Sequence, residues 1–369
     1  MNSLFPHPLP HTRLRILEAI CLAVLCVILS LGLWPFHAPQ NHVTWLPDRN
    51  GLRLGRPATV IGAGPFSLPG AEAAAPGSLE IWLQPQRIWD SATFLAFYTP
   101  GNPRRLLLRQ SLTDLEMRSG TAHFYVANAF RRPAPVFLTI SAGPSGTTVY
   151  ADGVVARRAP QFHFSARDLA GRIILGDSPA QPDNWAGDVR GLAVYYRELT
   201  PAQVQRHYQT WTREGWPDLS ANDRNVALYL FNERSGRVVR DGAGSGVDLF
   251  IPERYVVVDK IALEPFWEEF NFSRSYWDSV VKNIIGFLPL GFFFYPCLLL
   301  HRFRRPALTT VILGSLVSLT MEILQAYLPT RDSGTTDILT NTLGTWLGLV
   351  IFRAANGLLV RRFQASLIP

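Results

Sequence analysis

Four stretches of this chain are apolar for long enough to cross roughly 30 Å of hydrocarbon, and that limits every other reading of it. The first is Ile16–Trp34, ILEAICLAVLCVILSLGLW. The other three crowd toward the end, at about Trp277–Leu300, Pro306–Leu328 and Thr335–Leu359. The apolar run of the first exceeds the about 7–15 residues usual in a cleaved signal, and no A-x-A site follows, so it is expected to stay as an anchor. Basic residues set the orientation. Arg13 and Arg15 precede the first span, Arg302, Arg304 and Arg305 fill the turn between the second and third, and Arg361 and Arg362 follow the fourth. Four crossings put all three clusters on one side, which is then cytoplasmic. In a bacterium, the long segment between the first two spans lies in the periplasm or outside the cell.

Composition removes several classes. Lys and Arg total 35 against 28 Asp and Glu, a net charge of +7. Because so much of that charge flanks the spans, it reads as a topology signal, and nucleic acid is not an expected partner. A hydrophobic content of 47% with 17% charged residues excludes a disordered chain. Cys21, Cys26 and Cys297 all sit in apolar runs without metal-ligand spacing, so neither a disulfide scaffold nor a zinc site is expected.

Residues 35–277 hold short alternating runs broken by Gly, Pro, Asn and Asp, the pattern of an all-β sandwich. LEIWL at Leu79–Leu83 alternates; Phe94–Tyr98, Leu106–Arg109, Val136–Ile140, Thr147–Tyr150, Ile173–Gly176 and Val189–Tyr195 follow. Three stretches, PGSLEIWLQP, FLTISAGPSGTTVYADGVVARR and ILGDSPAQPDNWAGDVRGLAVYYRELTPAQVQRHY, resemble in order the strands of laminin-G-like and concanavalin A-like sandwiches, over about Leu79–Tyr208. The last includes a short helix capped by Thr200 with Pro201 at its first position. A strand of the type that usually opens such domains, ALYLFNERSGRVVRDGAGSGVDLFIP, comes late here, at Ala227–Pro252. We expect a circular rearrangement in which this strand fills the opening strand's place. The resemblance implies a jelly-roll sandwich of a kind that often binds glycans, and sometimes calcium or proteins; the fold alone does not choose. Trp185 and Asp188 are candidates for sugar contact, and Asp177, Asp183 and Asp188 for a calcium site. The paired-carboxylate motif of glucanases with this fold is missing, so glycoside hydrolysis is not expected. No other cofactor is expected.

Pro265–Trp277, PFWEEFNFSRSYW, interleaves six aromatic residues with Glu268, Glu269 and Arg274. Such residues collect at the membrane–water boundary, so this reads as an interfacial element. The expected organisation is a cytoplasmic N-terminus (1–15), a first span (16–34), an exterior sandwich (35–262), an interfacial aromatic segment (263–277), three further spans (278–359) and a cytoplasmic tail (360–369).

Ionisable groups inside a span are costly and mark candidate functional sites. Here they gather in the exterior half of the membrane. Asp278, Lys282 and Asn283 open the second span; Glu322 and Gln325 share one face at i,i+3 on the third; Arg331 and Asp332 lie in the turn; Asp337 and Asn341 enter the fourth at i,i+4. At about 1.5 Å per residue, Glu322, Asn283 and Asn341 each lie about 9–10 Å below their helix ends, which predicts convergence. Gly344 and Gly348 extend the Asp337–Asn341 face as a G-x-x-x-G patch that permits close helix contact.

The run NIIGFLPLG followed by MEILQAYLPTRDSGTTDILTNTLGTWLG resembles the VanZ-like family of bacterial membrane proteins through Asn283, Phe287, Pro289, Gly291, Glu322, Gln325, Pro329, Arg331, Asp337, Asn341 and Gly344. The sandwich is then an insertion between spans one and two of a four-helix transmembrane bundle. The resemblance implies a place in the cell envelope, at the cytoplasmic (inner) membrane with both termini inside. The family takes its name from glycopeptide (teicoplanin) resistance, and the resemblance fixes no activity. Three functions are open. The first is an envelope accessory protein that engages a glycan or lipid-linked saccharide. The second is a membrane-embedded enzyme on a lipid-linked substrate, with Glu322 as acid or base, Arg331 holding a phosphate or carboxylate and Asp337 orienting. The third is a purely structural polar network, with Arg331 pairing with Asp332 or Asp337 at the rim. No nucleophile elbow, metal motif or P-loop supports the enzyme. Beyond the bilayer, protein partners are not legible.

Overall fold

The computed structural model describes residues 11–65, 75–219, 225–270 and 274–365. The chain forms two compact units, one of Ala38–Lys260 and one of Met1–His37 with Ile261–Pro369.

The first unit is a β-sandwich. Its strands are β1 (Val43–Trp45), β2 (Leu52–Leu54), β3 (Val60–Gly62), β4 (Gly77–Pro85), β5 (Ser91–Thr99), β6 (Asn102–Ser111), β7 (Asp114–Ser119), β8 (Ala122–Val126), β9 (Val136–Gly143), β10 (Gly146–Ala151), β11 (Val154–Ala159), β12 (Arg172–Leu175), β13 (Gly187–Tyr195), β14 (Asn225–Tyr229), β15 (Val238–Val239) and β16 (Leu249–Phe250). One sheet runs β1-β2-β13-β4-β9-β10-β11, with β14 also on β13; the other runs β15-β16-β3-β12-β5-β6-β7-β8. The alternation in LEIWL explains the layering. Leu79, Ile81 and Leu83 of β4 enter the common core with Phe94, Phe97, Leu108, Leu138 and Val194. Glu80 and Trp82 face the other way, where a helix covers the sheet. Asp152 and Gly153 join β10 to β11 with φ of 52° and 78°, the left-handed pair that a tight hairpin requires.

After the first long helix, α1 (His11–Leu33), the sandwich carries α2 (Ala166–Leu169) and α3 (Pro201–Glu214). Thr200 accepts from the Gln203 N–H to cap α3, Pro201 opens it, and Gly215 ends it in the left-handed conformation. Val204 and Trp211 of α3 pack with Phe137, Tyr150 and Tyr195 on the outer face of the sheet. A Cβ on Gly191 would enter the Trp211 ring, so this glycine sets how closely α3 approaches.

The late strand joins the sheet. Leu228 pairs with Ala193 and Tyr229 with Leu192, as the rearrangement requires. It does not fill the edge alone: β2 pairs with Gly187–Val189 of the same strand β13. The early strands β1 to β3 were not legible as strands because each is three residues long and separated by Gly and Pro.

Among the described residues, the elements of the second unit are helices. It contains α1, α4 (Phe266–Glu269), α5 (Arg274–Leu300), α6 (Pro306–Gln325) and α7 (Thr335–Ala365). Helices α1, α5, α6 and α7 are each long and apolar enough to cross a membrane. Glycine brings α5 and α7 together: a Cβ on Gly344 would meet the Ile284 carbonyl, one on Gly348 the Leu288 carbonyl, and one on Gly291 the Thr345 carbonyl. On the aromatic strip, Phe266, Trp267, Phe270 and Trp277 are exposed; Phe272 lies outside the described residues. The fold class is thus a sandwich joined to a bundle of four membrane-length helices.

Candidate functional site

The polar residues of the bundle do two separate jobs. The first is to finish helix ends. The opening N–H groups of α7 have no partner within their own helix. Gly334 N–H donates to Glu322 Oε2 at 2.9 Å, and Thr336 N–H to Glu269 Oε2 at 3.0 Å. Thr335 N–H donates to the Glu264 carbonyl at 2.9 Å. Two carboxylates therefore sit at the positive end of the α7 dipole, a favourable place for negative charge. Ser333 Oγ donates to the Glu322 carbonyl at 2.9 Å, locking the α6–α7 turn. At α1 the signs reverse. Its last carbonyls are met by donors, Gln325 Nε2 on Gly32 O at 2.8 Å and Arg331 Nη2 on Leu31 O at 3.1 Å and on Trp34 O. The guanidinium thus serves the negative end of α1, which corrects the expectation of an Arg331 rim pair with Asp332 or Asp337.

The second job is to line a cavity of about 850 Å³ among α1, α5, α6 and α7. Ile20, Val24, Ile28 and Leu31 of α1 with Phe287 and Met321 make its apolar side. Lys282, Asn283, Gln325, Arg331, Asp332, Asp337 and Asn341 make its polar side. Asn283 Nδ2 donates to Asp337 Oδ1 at 2.6 Å, joining α5 to α7. Asn341 Nδ2 donates to Ser318 Oγ at 2.9 Å, joining α7 to α6. Asn341 is buried, and its Oδ1 has no hydrogen-bond partner among the described residues; nor has Arg331 Nε. Gly286 also lines the cavity, and a Cβ there would meet nothing within 4 Å.

The expected convergence is therefore partial. Asn283 and Asn341 share the cavity, whereas fully buried Glu322 is turned to the α7 N-terminus and is not among the lining residues. Asp278 and Lys282 are exposed on α5 and form no ion pair among the described residues. Sequence reasoning missed two contributors. Ser318 lies at i−4 from Glu322, so the same-face rule would have found it. Glu269 looked like an interfacial charge, and only the tertiary fold brings it to Thr336.

In the sandwich the candidates part company. Trp185 is fully buried; its Nε1 donates to Gln110 Oε1 at 2.8 Å and its ring packs on Phe94. No face is open to a sugar, which corrects that expectation. Asp177 accepts from Tyr255 Oη at 2.5 Å and from the N–H groups of Ser178 and Asp183. Burial pushes its carboxyl up to about 7 against the opposing pull of those hydrogen bonds. Asp183 is held by Thr93 Oγ1 at 2.5 Å and by Arg109. Asp188 pairs with Arg53 Nε at 2.8 Å. The three aspartates thus serve three different sets of donors, and no group of three or more His, Cys, Asp or Glu side chains among the described residues is placed to hold a metal. Asp188 does line a cleft of about 260 Å³ with Arg53, Gln84 and Gln86.

These features define a class: a membrane-embedded helical bundle with an amphiphilic cavity, carrying a β-sandwich between its first and second long helices. Residues 236–359 match the VanZ/LLP1 family, and residues 63–205 match the concanavalin A-like lectin/glucanases superfamily. The two matches together describe a membrane protein with a VanZ-like C-terminal region and a sandwich similar to the laminin-G-like, concanavalin A-like domains. No curated protein sequence matches it. Among solved structures it is similar to a provisionally assigned carbohydrate binding protein from Bacteroides ovatus ATCC 8483, at 13% identity and a TM-score of 0.40, over 55% of this chain and 57% of that one. It is also similar to a heptameric SAP-like pentraxin from Limulus polyphemus, at 12% identity and a TM-score of 0.37, over 58% of this chain and 94% of that one. The chain thus spans little more than half of the Bacteroides protein.

Proposed function

We propose that this protein is a cell-envelope accessory protein of the bacterial cytoplasmic membrane, whose helical bundle receives a lipid-linked envelope component while the sandwich engages a glycan. The observation that carries the reading is the two-sided cavity. An apolar side along α1 suits a hydrocarbon chain, and a polar side from α5, α6 and α7 suits a headgroup. The polar side lies at the α1 C-terminus and the α7 N-terminus. The basic clusters at Arg13 and Arg15, at Arg302, Arg304 and Arg305, and at Arg361 and Arg362 flank the opposite helix ends. By the positive-inside rule the polar side then faces outward, with the inserted sandwich periplasmic or extracellular and both termini cytoplasmic.

For the sandwich, the family match and the Asp188 cleft with its amide and guanidinium groups support glycan contact. The acid–base reading of Glu322 draws no support from the geometry, because Oε2 accepts the Gly334 N–H and the residue does not line the cavity.

The test is native mass spectrometry of the full chain extracted from its membrane in mild detergent. A bound amphiphile is expected in the wild type and not in Gly286→Phe, whose ring would fill the cavity. Equal retention by both would defeat the bundle half of the reading. A glycan array probed with the full chain tests the other half, and a blank array would remove it.

A further inference from the structure

The cavity's polar side has a composition that goes beyond accepting a headgroup. Its charges balance, Lys282 and Arg331 against Asp332 and Asp337. A net-neutral lining does not repay the extra desolvation of a multiply charged anion, whereas a phosphodiester carries only one negative charge. The position of the cations matters too. Arg331 stands in the turn after α6, at the rim, with Nη2 committed to α1 and Nε without a partner among the described residues. Further along α7 the groups change character. Asp337 offers a carboxylate of which one oxygen accepts from Asn283, and a carboxylate has lone pairs for several donors. One helical turn deeper, about 6 Å, comes Asn341. Its Nδ2 is used by Ser318, and its buried Oδ1 is an acceptor with no donor among the described residues. A buried acceptor left in this state calls for a donor from elsewhere.

We propose that the cavity selects amphiphiles whose phosphodiester headgroup ends in hydrogen-bond donors, either hydroxyls or a primary ammonium. This rests on the reading that the cavity takes an amphiphile at all. The phosphate lies toward Lys282 and Arg331, and the donors reach Asp337 and Asn341 Oδ1. A glycerol headgroup, an ethanolamine headgroup and a prenyl-phosphate-linked sugar share this chemistry. A choline headgroup has the same charge as ethanolamine but no N–H, so it does not.

The experiment uses the lipid-depleted full chain in detergent and native mass spectrometry. The probes are phosphatidylglycerol, phosphatidylethanolamine and phosphatidylcholine with identical acyl chains, and a polyprenyl-phosphate-linked hexose. One added hydrogen bond corresponds to roughly 3- to 10-fold in affinity. The wild type is therefore expected to retain at least one donor-bearing lipid about 5-fold better than the choline lipid, and the best-retained probe identifies the source. In Asn341→Leu that preference falls by roughly 3- to 10-fold, the worth of the lost hydrogen bond. Asn341→Ala is measured beside it, so that one variant that fails to fold does not decide the matter. Equal retention of choline and donor-bearing lipids by the wild type, or a preference that survives both Asn341 variants, would overturn the proposal. Gly286→Phe separates the two levels. If it abolishes retention of all lipids while the wild type shows no donor preference, the headgroup selectivity is wrong and the amphiphile cavity stands. If it changes nothing, both fall.

Discussion

The sandwich and the bundle bury polar side chains in opposite ways. In the sandwich the buried carboxylates Glu80 and Glu116 are met by several donors each. Glu80 accepts from Tyr195 Oη at 2.5 Å, His207 Nδ1 at 3.1 Å and Thr139 Oγ1 at 3.2 Å. Glu116 accepts from Arg118 Nε at 2.5 Å and Tyr125 Oη at 3.1 Å. The Glu80 network pins β4 to α3, one layer to the next, while the Glu116 network ties β7 to β8 within one sheet. Buried atoms without a partner among the described residues occur there too, such as Thr59 Oγ1, Arg190 Nε and Trp211 Nε1, the last within the packed layer under α3. The bundle closes the groups that finish its helix ends, Glu322, Glu269 and Gln325 among them, and pairs Asn283 with Asp337, but it leaves Asn341 Oδ1 and Arg331 Nε without a partner among the described residues, on side chains that line a cavity. Closed networks serve the fold. Open ones beside a cavity are where a ligand can contribute what the protein lacks.

The largest expected effect probes the closed side. Glu80→Leu removes the shared acceptor of Tyr195, His207 and Thr139 and leaves all three buried. Losing one member of a buried polar pair typically costs about 3–5 kcal/mol. Denaturant unfolding of the full chain in detergent, followed by tryptophan fluorescence, should show a loss of that order in the sandwich transition. A loss under about 1 kcal/mol would mean that the network is not what holds α3 to the sheet.

Next comes helix packing in the bundle. Gly344→Leu would drive a side chain into the Ile284 carbonyl and part α5 from α7. Overpacking costs about 1–3 kcal/mol, and because Asn283 meets Asp337 across the same pair of helices, lipid retention should fall with it. Retention unchanged with stability lowered would show that the cavity does not depend on this close approach.

How far the sequence told these regions apart depended on the range of each interaction. The spans were legible because twenty-odd apolar residues are a local signal, and β4 because LEIWL alternates. The α3 cap was legible because Thr200, Pro201 and Gln203 are neighbours. The i,i+4 spacing placed Asp337 and Asn341 on one face of α7. What was hidden is tertiary. Nothing local announces that Glu322 reaches Gly334, that Glu269 caps α7, or that Trp185 turns inward to Gln110. Three-residue strands such as β2 become strands only because β13 offers an edge.

A pH titration sharpens the sandwich side. With its folded carboxyl at about 7, Asp177 keeps a proton that the unfolded chain has released above its ordinary range near 4. The native state therefore binds more protons between about pH 4 and 7, and stability falls as pH rises through that window, then levels off. The slope is about 1.4 kcal/mol per pH unit at most. In Asp177→Asn the slope should flatten; an unchanged slope would assign it to another group.

The smallest expected effect is the most telling for the contrast. Asn341→Leu removes an acceptor with no partner among the described residues and a donor that serves Ser318. The Ser318 hydroxyl is not stranded, because a helical serine can donate to the carbonyl four residues earlier, here that of Gly314. The leucine adds apolar contact where an unsatisfied oxygen stood. Replacing such a group by an apolar one of similar size is close to neutral, so thermal unfolding of the variant in detergent should match the wild type within about 0.5 kcal/mol. The same residue depth in the sandwich, at Glu80, is expected to cost several times more. Were Asn341→Leu as damaging as Glu80→Leu, the amide would be part of a closed structural network after all, and the bundle would resemble the sandwich in how it handles buried polarity.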